Sequence, residues 1–274
     1  MPDARNAPRM PDTERARMPD TEKAAQLSLF DPHPAVTAAA LAPSGQAAPG
    51  APALRRPEVR KAPVDPVFLA WRVREDPFPG ASTLQELQQQ MAGCRRCVLH
   101  EHRTTVVFGE GNPNARLMLV GEGPGANEDA TGRPFVGAAG QLLDRILWAA
   151  GFARDEVYIA NVVKCRPPGN RLPEPSEAAA CFPCLLTQMR LIKPSLVVCL
   201  GALATQTLVD SRARITKVRG EWYEKAGMRI LPTFHPAALL RDPSKKKPVW
   251  EDFKKVREAH DLGYAHQDGE PVSR

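Results

Sequence analysis

No stretch of about eighteen apolar residues occurs in the 274-residue chain, which excludes a membrane-spanning helix of ordinary kind. The first twenty residues, Met1 to Asp20, also lack the apolar core of a secretory leader and are polar and mixed in charge. The expected location is therefore the cytoplasm. Thiols stay reduced there, so the six cysteines read more readily as ligands than as disulfides. Neither sign of charge dominates: 37 Lys and Arg stand against 31 Asp and Glu, for a net +6 and a pI of about 9.1. Such an excess permits an anionic partner without requiring one.

Strand-like runs are scarce before residue 80, where fourteen of the 28 prolines fall among alanines and charged residues. A segment of that composition buries too little apolar area to offset its ordering entropy, and residues 1–80 are expected to form a disordered tail. The triplet Met-Pro-Asp recurs at Met1, Met10 and Met18, a period too short for a solenoid unit. Within the tail stands one apolar island, Gln26-Leu27-Ser28-Leu29-Phe30. It resembles the short peptide by which bacterial repair and replication proteins hold the sliding clamp. Gln26, Leu27, Leu29 and Phe30 would then enter a preformed pocket on that partner.

From about residue 81 the texture changes, and residues 81–265 read as one domain followed by a short C-terminal tail, 266–274. Thr83 to Cys97 has helical spacing, with Leu84, Leu87 and Met91 on one face and Ser82 or Thr83 as cap. Apolar strands are predicted at Arg116 to Val120, Tyr158 to Val163, Leu196 to Leu200 and Ile230 to Phe234. Helices are predicted at Gln141 to Ala150 and Pro175 to Ile192, the second kinked or interrupted by Pro183. Strands alternating with helices predict an α/β fold with a parallel sheet covered on both faces.

Ligands in such folds gather at the carboxyl ends of the strands. Three predicted strand ends carry polar chemistry: Gly121-Glu122-Gly123-Pro124-Gly125, Asn161, and Thr233-Phe234-His235-Pro236. Each alone is ordinary; their convergence on one edge is what draws attention. These residues also belong to four longer strings: Gly121 to Asp129, Gly132 to Gly137, Asn161 to Pro168 and His235 to Arg241. In content and order the four resemble family 4 uracil-DNA glycosylases, over roughly Thr83 to Leu262. The resemblance implies a three-layer α/β/α domain with a central four-stranded, mainly parallel sheet. It also implies an enzyme that flips uracil out of DNA and hydrolyses its bond to the sugar.

The residues suit that chemistry. An extruded uracil needs a flat apolar surface, which the resemblance assigns to Phe135. It also needs a group that accepts from N3–H and donates to O4, and the amide of Asn161 does both. His235 is assigned a hydrogen bond to O2, where negative charge builds as the bond breaks, assisted by backbone N–H groups near Gly123. Family 1 relatives carry an aspartate where this chain has Gly123. Glu122 and Glu128 are then the nearby carboxylates that either orient water or hold the loop. Leu239 is the expected wedge into the hole left by the flipped base, with Leu240 and Arg241 beside it on the DNA.

The spacing C-x2-C-x67-C-x15-C through Cys94, Cys97, Cys165 and Cys181 matches the family's iron–sulfur ligands. Four thiolates suit a [4Fe–4S] cluster of structural role or, by spacing alone, zinc. Cys184 completes a second C-x2-C and is a rival fourth ligand, whereas Cys199 reads as a buried small hydrophobe. The rival functions are a glycosylase for another deaminated base and a non-catalytic iron–sulfur protein that binds DNA at replication. The expected partners are uracil-containing DNA, single- or double-stranded, and the clamp. The protein is expected to act as a monomer at the nucleoid.

Overall fold

A computed structural model describes residues 59–61, 77, 78 and 80–263. The clamp-like peptide at 26–30 and the 266–274 tail lie outside the described residues. In chain order the elements are β1 (Val59–Lys61), α1 (Leu84–Ala92), β2 (Glu110–Gly111), β3 (Leu117–Gly121), α2 (Ala126–Thr131), α3 (Ala138–Ala149) and β4 (Tyr158–Asn161). They continue with α4 (Pro175–Ile192), β5 (Leu196–Leu200), α5 (Ala202–Leu208), α6 (Ile215–Val218), β6 (Trp222–Lys225), β7 (Met228–Thr233), α7 (Pro236–Arg241) and α8 (Lys246–Asp261).

The sheet order is β1-β6-β7-β5-β3-β4-β2. Its centre, β7-β5-β3-β4, is parallel throughout and is the expected four-stranded sheet. Three short edge strands widen the described sheet to seven. The additions are short edge pieces: β6 pairs antiparallel with β7 around a tight turn at Ala226-Gly227, β2 pairs antiparallel with β4, and β1 runs parallel to β6. Such fragments lack the apolar runs that announce the central strands. Val59–Lys61 falls inside the segment read as tail.

Successive strand residues face opposite ways and both sets are buried, as a sheet covered on two faces requires. Met118, Val120, Tyr158, Ala160, Val197, Cys199 and Ile230 share one core with α4 and α5 residues such as Leu185, Met189, Ala204 and Leu208. Their neighbours Leu119, Ile159, Val198 and Leu231 are equally buried on the opposite face, where α8 packs against β5 and β7. Cys199 is a core residue, as its apolar surroundings in the sequence suggest. Helix α4 runs unbroken through Pro183, contrary to the expected interruption; a turn later Thr187 Oγ1 donates to the Pro183 carbonyl at 2.9 Å. Among the described residues no helix is long and apolar enough to cross a membrane.

The chain passes from β3 outwards to β4, then returns to the other side of β3 to lay down β5 and β7. The order therefore reverses between β3 and β5, and a crevice opens beyond their carboxyl ends.

Candidate active site

That crevice is a cleft of about 480 Å³. Glu122, Gly123, Pro124, Glu128, Phe135, Asn161, His235 and Arg241 all line it. Motifs separated by more than a hundred residues thus meet in one place.

The floor is Gly121, at the end of β3. A methyl group built there would collide with Asn161 Oδ1 and stand 2.5 Å from Phe135 Cζ, so the absent side chain is what admits both groups. Asn161 ends β4, is buried, and its Oδ1 has no hydrogen-bond partner. A buried acceptor left open costs stability and is rare, so an unfilled one beside a cleft marks a ligand contact.

Phe135 is held in a strained left-handed conformation, φ +52°. The strain is fixed from both sides. Glu128 Oε1 accepts from Val136 N–H at 2.9 Å and Gly137 N–H at 2.8 Å, while its Oε2 accepts from Gly125 N–H at 3.1 Å. Arg154 donates to the Pro134 carbonyl at 2.6 Å and is itself paired with Asp144 and Glu110. The Phe135 ring then lies 5.5 Å from the His235 ring, nearly parallel at 29°.

His235 caps α7, and its Nδ1 accepts from Ala237 N–H at 3.1 Å. A ring nitrogen that accepts carries no proton, so the neutral imidazole bears its hydrogen on Nε2. Burial, reinforced by Arg241, depresses its titration to about 4, and the ring is neutral at pH 7. Beneath it, Thr233 Oγ1 donates to Asp252 at 2.5 Å, and Arg219 grips the same carboxylate. This buried network fixes the end of β7 from which the histidine projects.

Glu122 lies at the switch point itself. Its Oε1 accepts from Leu203 N–H at 3.1 Å at the start of α5, and burial raises its carboxyl above the ordinary value. The two glutamates therefore differ: Glu128 is committed to three backbone donors, whereas Glu122 is a desolvated carboxylate on the cleft wall.

Three features of the site escaped the sequence. Gly201 has φ +102°, and a methyl there would strike Glu122 Oε1 and approach His235 Cβ at 3.1 Å. The loop through Pro167, Asn170, Arg171, Leu172 and Pro173 forms one wall, with Arg171 locked by two bonds to the buried Glu177. Its Pro-Pro-Gly-Asn run is the one local signal that could have marked a turn there. Lys164, fully buried, is the third. Of the two leucines expected on the DNA, Leu239 is 1% exposed and packed in the core, whereas Leu240 is 47% exposed.

The cysteines form a second centre. Cys94 and Cys97 follow α1, Cys165 follows β4, and Cys181 and Cys184 stand one turn apart on α4; all five line one small cavity. Cys165 Sγ accepts from Arg103 at 3.1 Å and Cys181 Sγ from Lys164 N–H at 3.3 Å. Burial raises both thiols and these donors act against it, so the four-thiol set is chemically compatible with a thiolate-bound metal or cluster. Cys184 sits deeper, in an apolar group with Phe78, Leu87, Met91 and Phe108.

A doubly wound sheet with a cleft at its switch point accompanies a match of residues 108–254 to the family model of the Uracil DNA glycosylase superfamily. Type-4 uracil-DNA glycosylases are among the similar curated proteins. That of Thermotoga maritima is 48% identical over 180 residues, covering 64% of this chain and 93% of the relative. Those of Sulfurisphaera tokodaii and Archaeoglobus fulgidus are 46% and 40% identical, each over 64% of this chain and over 84% and 92% of the relative. The chain belongs to the type-4 family of this superfamily.

Proposed function

We propose that this protein excises uracil from DNA by hydrolysing the bond between uracil N1 and the sugar C1′, leaving an abasic site for base excision repair. The type-4 relatives carry the name of that activity. The observation that carries the reading is the buried, unpartnered Oδ1 of Asn161 beside Phe135 and His235.

An extruded uracil would lay its face on Phe135 and place N3–H on Asn161 Oδ1 and O4 on Asn161 Nδ2. Cytosine presents the reverse pattern and would leave both ends of the amide unpaired, which is costly in a buried site. As the C1′–N1 electron pair moves onto the base, charge grows at O2. His235 Nε2–H, neutral and fixed in tautomer, donates to that oxygen without surrendering its proton. Backbone N–H groups near Gly123 assist. Water then bonds to C1′ and its proton passes to Glu122, whose burial makes it a better acceptor than a solvent-exposed carboxylate. Glu128 holds the Phe135 loop. Arg241 grips a phosphate, and Leu240 takes the wedge role first assigned to Leu239.

Cys94, Cys97, Cys165 and Cys181 would hold a [4Fe–4S] cluster, with zinc as the alternative metal and Cys184 as the rival ligand. When bound, the cluster would cross-link three segments behind the cleft and supply no electron to the reaction. The proposal extends to action as a monomer in the cytoplasm at the nucleoid, and to clamp binding through Gln26, Leu27, Leu29 and Phe30. The test is incubation of metal-loaded protein with a uracil-containing oligonucleotide. Free uracil and an alkali-labile site are expected; an intact strand refutes the proposal.

A further inference from the structure

Lys164 is among the largest side chains wholly inside the described structure, at 0% exposure. Its Nζ donates to the main-chain carbonyl of Asn161 at 2.9 Å and to Gln188 Oε1 at 2.6 Å. Gln188, equally buried, is anchored in turn by donating to the Phe108 carbonyl at 2.9 Å and to the Tyr158 hydroxyl at 3.2 Å. The main chain of Lys164 is also engaged at both ends. Its N–H donates to Cys181 Sγ, and its carbonyl accepts from Val107 N–H at 2.8 Å. One residue therefore touches the segment bearing the base-binding amide, the α4 anchor and the cysteine cavity.

A stem of this length could be replaced by leucine or methionine if filling space were its only role. The head group, however, faces two oxygen acceptors, and only a donor satisfies both. A polar head group buried this deeply is costly unless its hydrogen bonds are made. Its retention here, on two oxygen acceptors, points to a task beyond packing.

We propose that Lys164 is a positioning residue for base recognition: its Nζ clamps the Asn161 main chain to Gln188, and its N–H on Cys181 couples the cysteine cavity to the uracil-binding amide. The clamp keeps Asn161 Oδ1 aimed into the cleft. The inference rests on Asn161 being the amide that reads uracil, and the test separates the two claims.

Free uracil serves as the probe, its inhibition constant measured on full-length metal-loaded protein together with iron content and circular dichroism. Asn161→Ala should weaken uracil binding at least about tenfold, and folded Lys164→Met by about tenfold. The double variant should bind no more weakly than Asn161→Ala alone, because the lysine acts through the asparagine. A lysine that merely stabilises the fold would leave the uracil constant of the folded fraction unchanged. That result, or losses that multiply in the double variant, overturns the proposal. Normal binding by Asn161→Ala overturns the pocket assignment itself, and the inference with it. If Lys164→Met does not fold, Gln188→Met decides the matter: about threefold weaker binding supports the clamp and unchanged binding removes it.

Discussion

The carboxylate of Glu122 occupies the space that any side chain on Gly201 would need. Gly201 stands at φ +102°, between the end of β5 and the start of α5, with Glu122 Oε1 and His235 Cβ over its α-carbon. Gly201→Ala should therefore act twice. It strains the backbone by about 1–3 kcal/mol, visible as a lower urea midpoint. It also moves Glu122, lowering kcat/KM by at least about tenfold. Full activity in a stable Gly201→Ala variant would detach Glu122 from the reaction.

The two titratable groups on the cleft predict an unusual pH profile. His235 is neutral down to about pH 4, so activity should show no step near the ordinary histidine value. The acid limb should instead follow Glu122, which burial displaces above 4.5, and Glu122→Gln should abolish that limb while slowing the reaction. Stability has its own sign. Because the folded-state value of His235 lies below the unfolded one of about 6.5, the unfolded chain takes up the proton first. Stability is thus lost as pH falls from about 6.5 towards 4. A histidine spectrum showing Nε2–H retained at pH 5 would confirm the tautomer; an imidazolium there would refute it.

Leu239 and Leu240 are adjacent but should behave oppositely. Leu239→Ala removes core packing and should cost about 2–5 kcal/mol in unfolding free energy. Leu240→Ala should leave stability nearly unchanged and slow duplex substrates more than single-stranded ones, since only a duplex leaves a hole to fill. Equal slowing of both substrates would remove the wedge.

The four central strands and the cleft residues were legible because each rests on a local signal. A strand buried on both faces is a continuous apolar run, and Gly121 to Gly125, Asn161 and His235 sit directly at such ends. What escaped depends on third dimensions of packing. Burial separates Leu239 from Leu240, and no spacing reveals it. Nothing in the sequence around Gly201 announces Glu122, which only the fold sets against it. Nor does it announce the role of Lys164, since only the fold brings Gln188 to its head group. The short strands β1, β2 and β6 are set by their neighbours in the sheet rather than by their own residues.

Removal of metal should distinguish Cys181 from Cys184, which share a helix face and a cavity. Cys181 receives the Lys164 N–H, whereas Cys184 is surrounded by Phe78, Leu87, Met91 and Phe108. Cys181→Ala should consequently lose the brown colour and bound iron and melt at lower temperature, because a ligand held only by the folded state stabilises it. Cys184→Ala should keep its iron and lose only the stability of a small core truncation. If instead Cys184→Ala loses iron and Cys181→Ala keeps it, the fourth ligand is Cys184. Stoichiometric zinc alone in protein prepared without oxygen would replace the cluster with a single ion. In either metal form, stripping the metal should weaken uracil binding as well as stability, because Cys181 and Asn161 are joined through one lysine.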